Sequence, residues 1–320
     1  MIYVTSGHEK GIGLEVFLKS LRQLPRPVAH HCLLLVDQKV LIKQLKYLAW
    51  HYRLAIDPPT QKFQLALGKH LSLAGIFLDN FMPARPRSSA YLIYLWQKLR
   101  PTAQDIVFTL PTSKDQLFWR KPCLGHTEWL RQYFNLSSIS MNFKAPHYQM
   151  LLITDHLPLA KVSAAITADL IVKRVTTSLD GWAKYFTPIK EVYVAGINPH
   201  AGENGLLGQE DGQVVQAIQR LRRKFPRIKF QGPFPGDTLL RNYHPRKAAQ
   251  QLWVFMYHDQ GLPWFKGVCG LKGINLSFGL PFLRLSVDHG TAFSLYGKNQ
   301  ADPAGTAYVL REAYRIMRQF

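Results

Sequence analysis

Short, nearly continuous apolar runs alternate in this chain with segments of helical periodicity, and that alternation constrains the fold more than any other feature. The runs cover residues 31–36 (HCLLLV), 106–109 (IVFT), 150–153 (MLLI), 192–197 (VYVAGI) and 252–257 (LWVFMY). A strand solvated on one face alternates apolar and polar residues, whereas a strand covered by helices on both faces does not. Apolar residues recur at 14, 17, 18 and 21, and again at 214, 215, 218, 221 and 225, which is the spacing of one helix face. Further helices are expected over 89–99, 160–175 and 305–320. Residues 58–61 and the run NFMPARPR at 80–87 read as loops. Strands and helices in this order build an α/β fold with a mainly parallel sheet between helix layers.

A chain of 320 residues has room for two lobes. Cys32, Cys123 and Cys269 are odd in number and far apart, which points to a reducing compartment, the cytoplasm, and against a disulfide framework. No apolar run approaches the roughly 18 residues that cross a bilayer, and the N-terminus MIYVTSGHEKGIG lacks the pattern of a signal peptide, so no membrane partner is expected. The net charge of +20 raises the question of nucleic acid. The basic residues are scattered, however, without zinc-finger spacing or a basic stripe interleaved with aromatics, and no nucleic-acid partner is expected. An anionic small substrate explains part of the charge locally and not the whole surplus.

Ligands of open α/β sheets bind beyond the carboxyl ends of the strands. Three of the apolar runs deliver a histidine there: His156 after LLITD, His200 after VYVAGINP and His258 after LWVFMY. From position alone, each reads either as a locally hydrogen-bonded imidazole or as one of three ligands of a divalent metal with open positions, the catalytic arrangement. Asn198-Pro199 restricts the backbone before His200, and Gly202, Gly205 and Gly208 permit close approach to a ligand.

The segments LGHTEWL (124–130), GINPHAGENGLLGQED (196–211), GPFPGDTLL (232–240), MYHDQGLPWFK (256–266) and INLSFGLPFLRLSVDHGTAF (274–293) together resemble the 4-hydroxythreonine-4-phosphate dehydrogenase family. The resemblance implies a two-lobed, three-layer α/β/α fold of the isopropylmalate dehydrogenase-like type. Residues 1–122 with 285–320 would form one lobe and 123–284 the other, with the active site in the cleft and at a homodimer interface. It implies a metal held by His156, His200 and His258, one of them across the dimer. Zinc, cobalt and magnesium are the candidate ions. Substrate contacts fall on His126, Thr127, Lys266, Asn275 and Arg284. The reaction implied is oxidation of the C3 hydroxyl of 4-phosphohydroxy-L-threonine by NAD or NADP, followed by decarboxylation to 3-amino-2-oxopropyl phosphate, in pyridoxal phosphate synthesis.

Lys266 and Arg284 suit anionic oxygens, and Arg284 sits inside an apolar run where a charge needs a partner. Asp237 is the candidate proton acceptor, with a turn or helix cap as its alternative role; Lys266 is the other candidate catalytic side chain. Asp259 is placed to hold an imidazole N–H of His258. Asp288, His289 and Gly290 are expected to approach the dinucleotide. The chain departs from the family pattern in SGHEKGIG (6–13), which lacks a proline, in LPTSK (110–114), and at Ser294, where an acidic residue is common. These departures motivate a reading of another class, a non-catalytic binding protein on the same scaffold. A decarboxylating dehydrogenase acting on phosphorylated threonate or erythronate is the nearer alternative.

Overall fold

A computed structural model describes residues 1–68 and 71–320. The strands are β1 (Ile2–Thr5), β2 (Cys32–Val36), β3 (Tyr52–Asp57), β4 (Lys62–Leu67), β5 (Leu71–Phe77), β6 (Ile106–Thr109), β7 (Ser140–Ala145), β8 (Tyr148–Leu152), β9 (Glu191–Ala195), β10 (Lys229–Phe234), β11 (Gln251–Phe255), β12 (Ile274–Phe278) and β13 (Leu283–Val287). The helices are α1 (Gly13–Gln23), α2 (Arg26–His30), α3 (Gln38–Leu48), α4 (Arg87–Tyr94), α5 (His126–Tyr133), α6 (Val162–Ala165), α7 (Ala168–Tyr185), α8 (Asp211–Lys224), α9 (His258–Cys269) and α10 (Ala304–Met317). None of these helices is long and apolar enough to cross a membrane.

The chain divides into two units, Met1–Leu136 with Leu280–Phe320, and Ser137–Gly279. In the first unit the strand order is β13-β6-β1-β2-β5-β4-β3. From β13 to β5 the pairing is parallel, and β4 runs antiparallel to both of its neighbours. In the second unit the order is β10-β9-β11-β8-β7-β12, parallel as far as β8, with β7 antiparallel on both sides. Each sheet is thus mixed and mostly parallel, with its central strands buried, the state in which long apolar runs are stable.

The unit boundaries differ from the sequence expectation of 122/123 and 284/285. Helix α5 belongs to the first unit because Trp129 donates through Nε1 to Phe118 O at 3.2 Å and packs against Trp119. Phe282 belongs there too, stacked on Trp96 with ring centroids 4.3 Å apart. The helix expected over 160–175 is two helices. Thr167 starts α7 as its N-cap, its Oγ1 accepting the Leu170 N–H at 3.2 Å, and α7 then runs ten residues past the expected end. The antiparallel ribbon β3–β4 has no counterpart in the sequence reading: β3 is almost wholly exposed, and β4 buries only alternate residues, Phe63, Leu65 and Leu67, so neither strand is a continuous apolar run buried on both faces.

Helix α7 lies against the second sheet through Gly181, where an added Cβ would stand 2.1 Å from the ring of Phe278. Gly181→Ala is therefore expected to force Phe278 from its place and to cost about 1–3 kcal/mol, read as a lower urea midpoint. An unchanged midpoint would show that the helix can lift away freely.

Candidate active site

In the second unit the pairing of β8 with β11 continues past the ends of both strands. Ile153 N–H donates to Phe255 O at 2.9 Å, and Thr154 donates to Met256 O through both its amide, at 3.1 Å, and its hydroxyl, at 2.7 Å. These bonds keep the two chain exits parallel until one reaches His156 and the other His258. The two imidazole centroids are 5.6 Å apart, and both rings line a cavity of about 510 Å³ with Asp155, Leu157 and Tyr257. Gln260 completes the frame, accepting the Met256 N–H and donating to Gly196 O, both at 2.8 Å, so that the exit of β9 is tied to the start of α9.

The histidine pair fits a metal ion in two respects. An imidazole nitrogen about 2.1 Å from an ion puts its ring centroid about 3.2 Å away, so centroids at this spacing can share one ion at an angle of about 120°. His258 Nδ1 lies 2.6 Å from Asp259 Oδ1 and donates its proton there, which leaves Nε2 with its lone pair. The expected third ligand is elsewhere. Among the described residues, no three His, Cys, Asp or Glu side chains gather to hold an ion.

His200 lines a separate cavity of about 460 Å³ with Glu203, Asn204 and Asp211, its Nδ1 3.9 Å from Glu203 Oε1. Asn198 is extended before Pro199, as the sequence implies, but residues 200–204 then take positive φ in succession, from 43° to 78°. That left-handed run turns the exposed imidazole into its own pocket. Its anchor is Asp211, the first residue of α8. The Asp211 carboxylate accepts from Ile197 N at 2.7 Å, Asn198 N at 3.2 Å and Asn198 Nδ2 at 3.0 Å. Sequence reasoning did not single out Asp211 for this role, although an acid opening a helix after a glycine-rich loop was the available signal.

The other expected residues of this unit are spread along it. Lys266 is exposed on α9, two turns beyond His258, and Asn275 is half-buried in β12. Asp237 is exposed in the turn after β10, where Thr238 N–H bonds Pro235 O.

The first unit holds the remaining candidates. Arg284 lies on β13 with only 3% of its surface exposed, and burial pulls its guanidinium down to about 9, still a cation at neutral pH. His126 and the buried Thr127 open α5. Asp288, His289 and Gly290 form the loop after β13, with His289 Nδ1 3.0 Å from Gly290 O. The next residue, Thr291, accepts the Ile12 N–H at 3.0 Å, and the His8 ring meets Phe293 edge-on at 4.8 Å. His8 N–H also donates to Pro111 O, beside Gly7, whose φ of 71° and 2.3 Å Cβ clearance from Pro111 O admit only glycine. The three stretches SGHEKGIG, LPTSK and DHGTAF, distant in sequence, therefore meet.

The family model described as "Pyridoxal phosphate biosynthetic protein PdxA" matches residues 82–313. A 4-hydroxythreonine-4-phosphate dehydrogenase of Shewanella frigidimarina is 32% identical over 98% of this chain and 97% of its own length. The crystal structure of 4-hydroxythreonine-4-phosphate dehydrogenase from Klebsiella pneumoniae superposes with a TM-score of 0.75 at 25% identity, covering 99% of each chain. An isocitrate dehydrogenase from Methylococcus capsulatus shares the fold alone, with a TM-score of 0.51 at 12% identity over 99% of this chain and 88% of that one.

Burial holds His126 well below the usual histidine range, and the nearby Arg284 cation pushes the same way. The unfolded chain takes up this proton near pH 6.5 while the folded chain refuses it, so the stability this group contributes is present above about pH 6.5 and is lost as pH falls below it. Urea midpoints measured from about pH 7.5 down to about pH 5 should fall more steeply for the wild type than for His126→Gln. Parallel curves would contradict the assignment.

Proposed function

The chain belongs to the family of the pyridoxal phosphate biosynthetic protein PdxA, and from that premise we propose that it oxidises the C3 hydroxyl of 4-phosphohydroxy-L-threonine with a nicotinamide dinucleotide as hydride acceptor. The β-keto acid so formed loses carbon dioxide to give 3-amino-2-oxopropyl phosphate.

The observation that carries this reading is the facing of His156 and His258 in one cavity, with Asp259 fixing the tautomer of His258. When bound, a divalent cation supplies acidification of the hydroxyl and the dinucleotide supplies a hydride acceptor. The protein assembles as a homodimer in this reading, and His200 of a second copy completes the ligand set.

The chain's own residues do the rest. His258 opens α9, a helix of 12 residues whose first amides favour an anionic oxygen beside the imidazole pair. Lys266, further along the same helix, neutralises an anionic group of the substrate. Arg284 grips phosphate or carboxylate oxygens as a planar fork. His126, kept neutral by burial, offers one donor and one acceptor, and Thr127 and Asn275 add directional hydrogen bonds. Asp237 accepts the proton released from the hydroxyl, and the loop of Asp288, His289 and Gly290 approaches the dinucleotide.

NADH formation from 4-phosphohydroxy-L-threonine with added metal tests the proposal. His156→Ala and His258→Ala should each abolish metal-dependent turnover, and Asp259→Asn should raise the metal concentration needed by about ten- to a hundredfold. Turnover at the wild-type rate in either alanine variant contradicts it, as does turnover only of phosphorylated threonate or erythronate.

A further inference from the structure

We propose that Thr109 is a positioning residue that sets the plane of the Arg284 guanidinium for an anionic oxygen pair, phosphate or carboxylate. The inference rests on the reading of Arg284 as a substrate contact. Thr109 ends β6, at the carboxyl edge of the first sheet where α/β folds place their ligands, and it is fully buried. Its Oγ1 accepts two bonds from one guanidinium, from Nε at 3.0 Å and from Nη2 at 2.7 Å. Two bonds from the Nε–Nη2 edge to a single atom fix the direction in which that edge points. The direction in which Arg284 offers its other donors to an anion is thereby set by Thr109.

Thr109 is itself held. Its neighbours in register are Thr5 on β1 and Ser286 on β13, and the Ser286 hydroxyl donates to the Thr109 carbonyl at 2.9 Å. The branched side chain on a buried strand has little rotamer freedom, so Oγ1 is a fixed point. Serine keeps that oxygen; valine keeps the shape and loses the oxygen; alanine loses both. The residue type therefore matters through one acceptor atom, and its effect is expected on anion binding with little change in the chemical step.

The test compares the wild type with Thr109→Ser, Thr109→Val and Thr109→Ala. In NADH assays on 4-phosphohydroxy-L-threonine, the valine and alanine variants should raise KM about tenfold or more while kcat changes little, and serine should restore the wild-type KM. Binding of inorganic phosphate, measured calorimetrically on the same four proteins, should weaken in the same order. The alanine–serine pair decides the matter if the valine variant folds poorly. Equal phosphate affinity in all four proteins overturns the role of Thr109, as does absence of phosphate binding by the wild type. A wild type that binds phosphate in this pattern but forms no NADH overturns the proposed reaction and leaves the positioning role standing.

Discussion

The candidate site depends on the hydrogen bonding that carries β8 and β11 in parallel beyond their last paired residues. Thr154 makes this possible by placing two donors on one carbonyl, that of Met256. A hydroxyl buried at this depth must be bonded, and here its bond also stops the two exits from diverging. His156 and His258 consequently face each other from segments about a hundred residues apart in sequence, and Gln260 draws the exit of β9 towards the same place. An imidazole pair built on strand ends and one helix start is held by backbone geometry, the kind of support that makes a ligand site rigid.

The two units contribute different chemistry. The second carries the imidazoles and Asp259, groups suited to a cation. The first carries a buried guanidinium, a half-buried histidine held neutral by desolvation and a cluster of polar strand-end residues, groups suited to an anion. Both kinds of chemistry suit the PdxA family to which the chain belongs.

Part of this was legible in the sequence. β2, β6, β8, β9 and β11 announce themselves as continuous apolar runs, and the histidines beyond β8, β9 and β11 follow from where α/β sheets bind ligands. The buried β1, β7, β12 and β13, which carry polar residues such as Thr5, Asn142, Ser277 and Arg284, do not. Arg284 was legible as a charge inside an apolar run. The ribbon β3–β4 contains no such run: β3 is almost wholly exposed, and β4 buries only the alternate residues Phe63, Leu65 and Leu67, a period-two pattern rather than a continuous one. The split between α6 and α7 turned on a single threonine cap. The turn of His200 away from the other two imidazoles arises from consecutive left-handed residues pinned by Asp211, a tertiary arrangement that glycine content alone does not specify. Thr109 was hidden for a simpler reason: its partner lies 175 residues away.

The central claim is that His156 and His258 bind one ion together. Titration of the protein with cobalt(II), followed by its visible absorption, tests this without recourse to turnover, since imidazole ligation changes the intensity and position of the bands. The account predicts a saturable spectrum in the wild type that is lost in His156→Ala and in His258→Ala. A spectrum unchanged in either variant would contradict it.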